Sequence, residues 1–215
     1  MNIRDEKGVL DRNFASILLL ISSGLFVFVL PTLPFETNIP AIILISVIIL
    51  LASLNISRRV VWVAIPAILI EMATRATDLN ILNYISTATT NLLIIYIVLR
   101  VILDIMRQQQ ITPFTLLEAV NGYLLLGIMF TSLVGFCEMT FPGSFAIQGD
   151  KGTELVYYTL VTMTTVGYGD ITPQLPAAKS LSMFVAISGQ FYIAMVVAII
   201  VGKYASNMGS DEEGV

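Results

Sequence analysis

Long apolar runs separated by short polar breaks dominate this chain. The first extends from Phe14 to Leu30 and is closed by Pro31, with Pro34 and Pro40 bracketing a short loop. A second runs from about Ile39 to Ile56, and Ser57-Arg58-Arg59 makes a tight basic turn into a third, Val60 to about Ala73. The fourth spans Leu79 to about Leu103, and a polar connector from Asp104 to Thr112 leads to a fifth that ends near Cys137. A sixth covers about Ala177 to Tyr204. A helix needs roughly 20 apolar residues to cross a hydrocarbon core about 30 Å thick. The pattern therefore predicts an all-α membrane protein with six transmembrane helices.

Thr112-Pro113 and the Thr115-x-x-Glu118 spacing are start signals for the fifth helix. Between the fifth and sixth runs, residues 141–152 contain Pro142, Gly143, Gly149 and Gly152 and read as an exposed loop. The stretch from Thr153 to Thr164 is apolar but too short to span, which suits a half-membrane helix with Thr153 as N-cap and Glu154 beside it. Its C-terminal end, carrying partial negative charge, would face the membrane interior and favour a cation there.

Composition agrees with a bilayer setting: 56% of the 215 residues are hydrophobic and 12% charged, where a soluble domain has about 25% charged. The net charge of −4 comes with no basic block for nucleic acid. One cysteine, Cys137, excludes an intrachain disulfide and a multi-cysteine metal site. No histidine is present, and no paired carboxylates, phosphate-binding loop or cofactor motif stands out, so an enzyme is not expected. The first apolar run lacks a small-residue cleavage site and is expected to be retained. On this layout Arg4, Lys7, Arg12, Arg58, Arg59, Arg100, Arg107 and Lys203 share one side, and Arg75, Lys151 and Lys179 the other. The excess of positive charge on cytoplasmic loops puts both termini in the cytoplasm of a multi-pass cell-membrane protein.

After the half-length helix comes Thr164-Thr165-Val166-Gly167-Tyr168-Gly169-Asp170. Gly167 and Gly169 allow backbone angles that other residues disfavour, and Tyr168 between them must pack its ring outward. This string resembles the selectivity filter of the potassium channel family, in which four such loops turn carbonyls to a central axis and replace an ion's hydration shell. The resemblance covers about Thr112 to Tyr204. It implies a re-entrant pore helix and filter in a homotetramer within the lipid bilayer, with K+ as permeant ion and no cofactor. Thr165, Val166, Gly167 and Tyr168 would then donate carbonyls to K+, and the Thr165 hydroxyl an innermost oxygen.

Several features carry over residue by residue. Many relatives place two tryptophans where this chain has Tyr157-Tyr158, and the first bonds the aspartate after the filter. By that likeness the Tyr157 hydroxyl serves Asp170, and Tyr157, Tyr158, Thr164 and Asp170 support the filter; an interfacial aromatic belt is the alternative for the tyrosine pair. Val161 stands where some bacterial members carry a buried acid. Gly189 lies where inner helices of the family carry a hinge glycine, and close helix packing explains it equally. Ile193, Val197 and Val201 are expected to face the cavity and close it by dewetting, with lipid-facing packing as the other reading.

The front half resembles small bacterial six-span channels without a voltage-sensing arginine ladder, because no arginine occurs from Leu79 to Leu99 and steep voltage gating needs several charges per subunit. Polar residues along this run, Asn80, Asn83, Thr87, Thr89, Thr90 and Asn91, are read as interhelical hydrogen-bonding groups in preference to the lining of a second crevice. The chain divides into a four-helix membrane domain at 1–107, a pore domain at 108–206 and a short acidic cytoplasmic tail at 207–215. With so few residues flanking the first and last runs, no appended ligand-sensing module is expected. The expected function is passive potassium conduction with weak or no voltage dependence. A nonselective cation channel and the pore subunit of a potassium transport system are alternatives, and a regulatory subunit is not specified.

Overall fold

The computed structural model describes residues 3–29, 39–75, 80–108 and 112–212. They are almost wholly helical: α1 Ile3–Gly24, continued by a π-helical segment Leu25–Val29, α2 Ile39–Ile56, α3 Arg58–Arg75, α4 Asn80–Arg107, α5 Pro113–Thr140, α6 Lys151–Met163 and α7 Pro176–Glu212. Among the described residues three helical stretches are long and apolar enough to cross a membrane, Ile81–Arg107, Phe114–Thr140 and Pro176–Val196. Phe14–Val29 and Ile43–Ile56 are shorter apolar helices.

Helix ends show where local chemistry shifts the expected boundaries. α4 carries on through Asp104 to Arg107, so only residues 108–112 separate it from α5. Thr112 is the N-cap of α5 and Pro113 opens it; the reciprocal capping bonds join Thr112 to Thr115. Glu118 lies outside that box and instead receives a hydrogen bond from the Gln108 side chain, while Thr115 Oγ1 donates to Gln108 Oε1 at 2.7 Å. The short link is thus tied across its own length. α7 continues helically through Glu212, with 37 residues and a length of about 55 Å, so most of the acidic segment after 206 prolongs the helix.

α1, α2, α3 and α4 pack in sequence, α1 and α4 also lie against α5, and α6 sits between α5 and α7. One apolar core runs through both halves, from Leu19, Ile48, Ala52 and Ile97 to Phe130, Val134, Met163 and Val185. Polar groups inside it mostly bond along their own helices, which is how a spanning helix keeps them from facing hydrocarbon unpaired. Ser23 bonds to the Leu19 carbonyl and Ser53 to that of Ile49. On α4, Thr89 and Asn91 bond back to Ile85 and Thr87, whereas Ser86 meets Thr74 of α3 at 2.8 Å and the Tyr84 hydroxyl reaches the Met139 carbonyl at 3.0 Å. Of the polar residues expected to bond between helices, Thr89 and Asn91 instead bond within α4, and the bonds to other helices come from the neighbouring Ser86 and Tyr84. Asn121 of α5 ties the two halves through its side-chain amide, 2.8 Å from the Ser16 carbonyl.

Candidate ion-conduction site

α6 is 13 residues long, about 20 Å, which is enough for part of a bilayer and not for all of it. Its N-cap is Asp150, not Thr153: the Asp150 carboxylate accepts from the Thr153 amide at 3.1 Å. An ionised cap serves better than a hydroxyl here because it also meets the positive end of the helix dipole.

The loop before α6 is held by Glu138, a residue the sequence gave no reason to single out. Its carboxylate is 5% exposed, accepts from the amides of Gly143 at 3.1 Å and Phe145 at 3.2 Å, and pairs with Lys151 Nζ at 2.9 Å. The end of α5, the loop and the start of α6 thus share one anchor. Across the loop, Ala146 N bonds the Thr172 carbonyl and Gln174 N the Ser144 carbonyl, joining it to the segment after the filter.

At the other end of α6, four carbonyls of the last turn lack helical partners in any α-helix. Here residues 164–167, the expected filter, supply partners for three: the Thr164 amide bonds Leu160 O, the Thr165 amide Thr162 O, and the Val166 and Gly167 amides both reach Val161 O, at 3.0 and 3.3 Å. The fourth, Met163 O, accepts from Gln190 Nε2 of α7 at 3.4 Å. The amides of the filter's first residues thus face α6.

Left-handed backbone recurs at every second residue of the filter: φ is 63° at Thr165, 54° at Gly167 and 82° at Gly169. Glycine takes such angles freely. A β-branched threonine does not, and among the described residues Thr165 is the one non-glycine with positive φ. Strain of this kind, of order 1–3 kcal/mol, persists where surrounding structure over-determines it, and the amide bonds to α6 do so here.

Val166 and Tyr168 are exposed, Tyr168 at 72%. The Tyr157 hydroxyl donates to Asp170 Oδ2 at 2.7 Å, and its ring stacks on that of Tyr168 with centroids 6.5 Å apart and planes 4° from parallel. That bond pushes the Tyr157 hydroxyl up to about 12 and holds the Asp170 carboxyl below its ordinary value. Asp170 Oδ1 also accepts from the Ile171 amide. Tyr158 turns the other way and meets the Ser182 hydroxyl on α7. Thr164 caps α6 and bonds its hydroxyl back to Leu160 O at 2.8 Å.

On α7, Gly189 is buried against α6: a Cβ there would lie 2.4 Å from the Met163 carbonyl oxygen. Close packing is thus one demand that this glycine meets. Ile193 is 42% exposed, and the side chains of Val197 and Val201 lie outside the described residues. No group of three or more Cys, Asp or Glu residues arranged to hold a metal occurs among the described residues.

Residues 123–205, which include all of these features, match a family model described as "Ion channel". Similar proteins include the mouse "Potassium voltage-gated channel subfamily A member 10", 39% identical over 83 residues, which cover 38% of this chain and 16% of that protein. The rat "A-type voltage-gated potassium channel KCND3" is 32% identical over 87 residues, covering 39% and 13%, and the Drosophila melanogaster "Potassium voltage-gated channel protein Shal" 31% over 87 residues, covering 39% and 15%. The segment is thus similar to an ion-channel family model, and the relatives that match it are named as potassium channels. The matched stretches span less than a fifth of those relatives' own length. No solved structure matches the chain.

Proposed function

We propose that the chain forms a homotetrameric, potassium-selective channel of the cell membrane that conducts K+ passively, with weak or no intrinsic voltage dependence. The observation that carries this is the left-handed backbone at Thr165, Gly167 and Gly169 in a ribbon whose first amides are taken up by α6. Such a ribbon leaves carbonyls of Thr165, Val166, Gly167 and Tyr168 for an ion, and four copies around an axis would replace its water shell. Oxygen ligands suit an alkali cation. The exposure of Val166, Tyr168, Phe184, Ile187 and Phe191 in the single chain agrees with burial of this face between subunits.

In this reading residues 1–107 form a four-helix membrane domain, 108–206 the pore domain and 207–215 a short cytoplasmic extension. Six helices cross the bilayer, α6 and the filter re-enter from outside, and both termini are cytoplasmic. Gly189 provides the bend of the inner helix, and Ile193, Val197 and Val201 close the cytoplasmic exit by dewetting.

Reconstitution of the purified chain in planar bilayers under opposed K+ and Na+ gradients tests the proposal. A reversal potential near that of K+ is expected; one midway between the two ions would make the pore nonselective and refute it. In the same bilayers the Val197→Ala, Val201→Ala double variant should raise resting flux, and unchanged flux would move the gate elsewhere.

A further inference from the structure

Two neighbouring tyrosines on α6 are fastened in different directions. Tyr157 reaches the outer end of the filter, whereas Tyr158 meets Ser182 on α7, and both Tyr158 and Ser182 are buried, at 6% and 8% exposure. Ser182 Oγ also bonds the Ala178 carbonyl at 2.6 Å. A serine hydroxyl has a single proton. With that proton given to Ala178, Ser182 can only accept from Tyr158, so the relay runs from the Tyr158 hydroxyl to Ser182 and on to the Ala178 carbonyl. Phe145 closes the opposite side of the Tyr158 ring, with centroids 5.0 Å apart.

A second contact between the same helices lies two turns further along α7, where Gly189 abuts the Met163 carbonyl and Gln190 bonds to it. This lower contact coincides with the bend proposed for the inner helix, so inner-helix motion would disturb it. The upper relay lies on the outer side of that bend. The filter, for its part, depends on α6 staying in place: its amides take their acceptors from α6, and Thr165 is held at a φ that threonine does not choose.

We infer that Tyr158 and Ser182 are positioning residues of the filter: their hydroxyl relay anchors the pore helix to the outer half of the inner helix and so keeps the filter in its conducting shape. The inference rests on the potassium-channel reading above. Apolar packing alone would fill this site without hydroxyls; Ser182→Ala strands the buried Tyr158 hydroxyl, while Tyr158→Phe removes the tie between the helices and leaves Ser182 bonded to Ala178.

The test compares wild type, Tyr158→Phe, Ser182→Ala, the double variant and Ser182→Thr as full chains in bilayers. Three quantities are read: the decay of current in low external K+, the K+/Na+ reversal potential and the melting of the assembled protein. Tyr158→Phe and Ser182→Ala should each accelerate the decay about fivefold, the factor that one lost hydrogen bond confers. The double variant should be no faster than the faster single one, and Ser182→Thr, which keeps the hydroxyl, should return to wild-type decay. Wild-type decay in both single variants overturns the inference, as does a fall in melting temperature with decay and reversal potential unmoved. Failure of the parent reading is distinct, because it shows in the wild-type reversal potential itself.

Discussion

At the scale of single residues, the proposed filter combines strain with a specific tie. Thr165, Gly167 and Gly169 hold left-handed angles, and the Tyr157 hydroxyl fixes Asp170 just beyond them at 2.7 Å. Tyr157→Phe keeps the ring that stacks on Tyr168 and removes only the bond. Its current should decay several-fold faster in low external K+, and an unchanged decay would show that the bond does not support the filter. The pH window follows from the shifts. Asp170 is held below its ordinary value, so its contribution is present above about 3.9 and is lost as pH falls through the lowered value. Tyr157 is raised to about 12, so its contribution is complete below about 10 and is lost as pH rises through the raised value. Filter stability in wild type should therefore stay flat between about pH 5 and 9 on the external side. A Tyr157-dependent loss inside that window would contradict the assignment.

At the scale of elements, the decisive contact is that of α7 with the base of α6. Gly189 has two readings, a bend and a close approach, and the position of Met163 O separates them experimentally. A methyl group at 2.4 Å from a main-chain carbonyl cannot be relieved by rotating a side chain, so Gly189→Ala must push the helices apart. Overpacking of this kind costs about 1–3 kcal/mol. The variant should melt measurably earlier than wild type in detergent or nanodiscs; an unchanged melting point with reduced opening would leave the bend as this glycine's whole role. α2, Ile39–Ile56, matches the span the apolar pattern gave, because it is an uninterrupted apolar run bounded in sequence by Pro31, Pro34 and the polar Ser57-Arg58-Arg59. The ends of α4, α5 and α6 were less legible. α4 runs on to Arg107 past Asp104, where the apolar pattern stops but the helix does not, and the cap of α6 passes from Thr153 to Asp150, whose carboxylate takes the Thr153 amide. The Tyr157–Asp170 bond was legible through family likeness. Glu138 and Ser182 were not, since their partners lie in the loop and on α6 and no local spacing marks them. Nor does composition signal a threonine in left-handed backbone.

At the scale of the whole molecule, the question is what the front four helices do to the pore. They are fastened to it by the short 108–112 link with its Gln108, Thr115 and Glu118 bonds, and by the Asn121–Ser16 hydrogen bond between α5 and α1. The relatives matched in the pore are named for voltage gating, yet the likeness extends over only 38–39% of this chain in those three comparisons. α4 holds no Lys or Arg between Asn80 and Leu99, and its middle turns bear Ser86, Thr90 and Asn91 instead. One elementary charge crossing the field is worth about 2.3 kcal/mol per 100 mV, so a segment that moves none gains almost nothing from depolarisation. The conductance–voltage relation of the purified channel should accordingly be shallow, with an apparent gating charge below about one elementary charge per channel. Introducing arginines at Ile94 and Ile97 would place charge in a buried apolar layer, at 5% and 2% exposure, and should impair assembly before conferring voltage sensitivity. A steep sigmoidal curve from wild-type protein in bilayers would mean that charge elsewhere in the front domain moves with the gate, and would overturn the voltage-independent reading while leaving selectivity untouched.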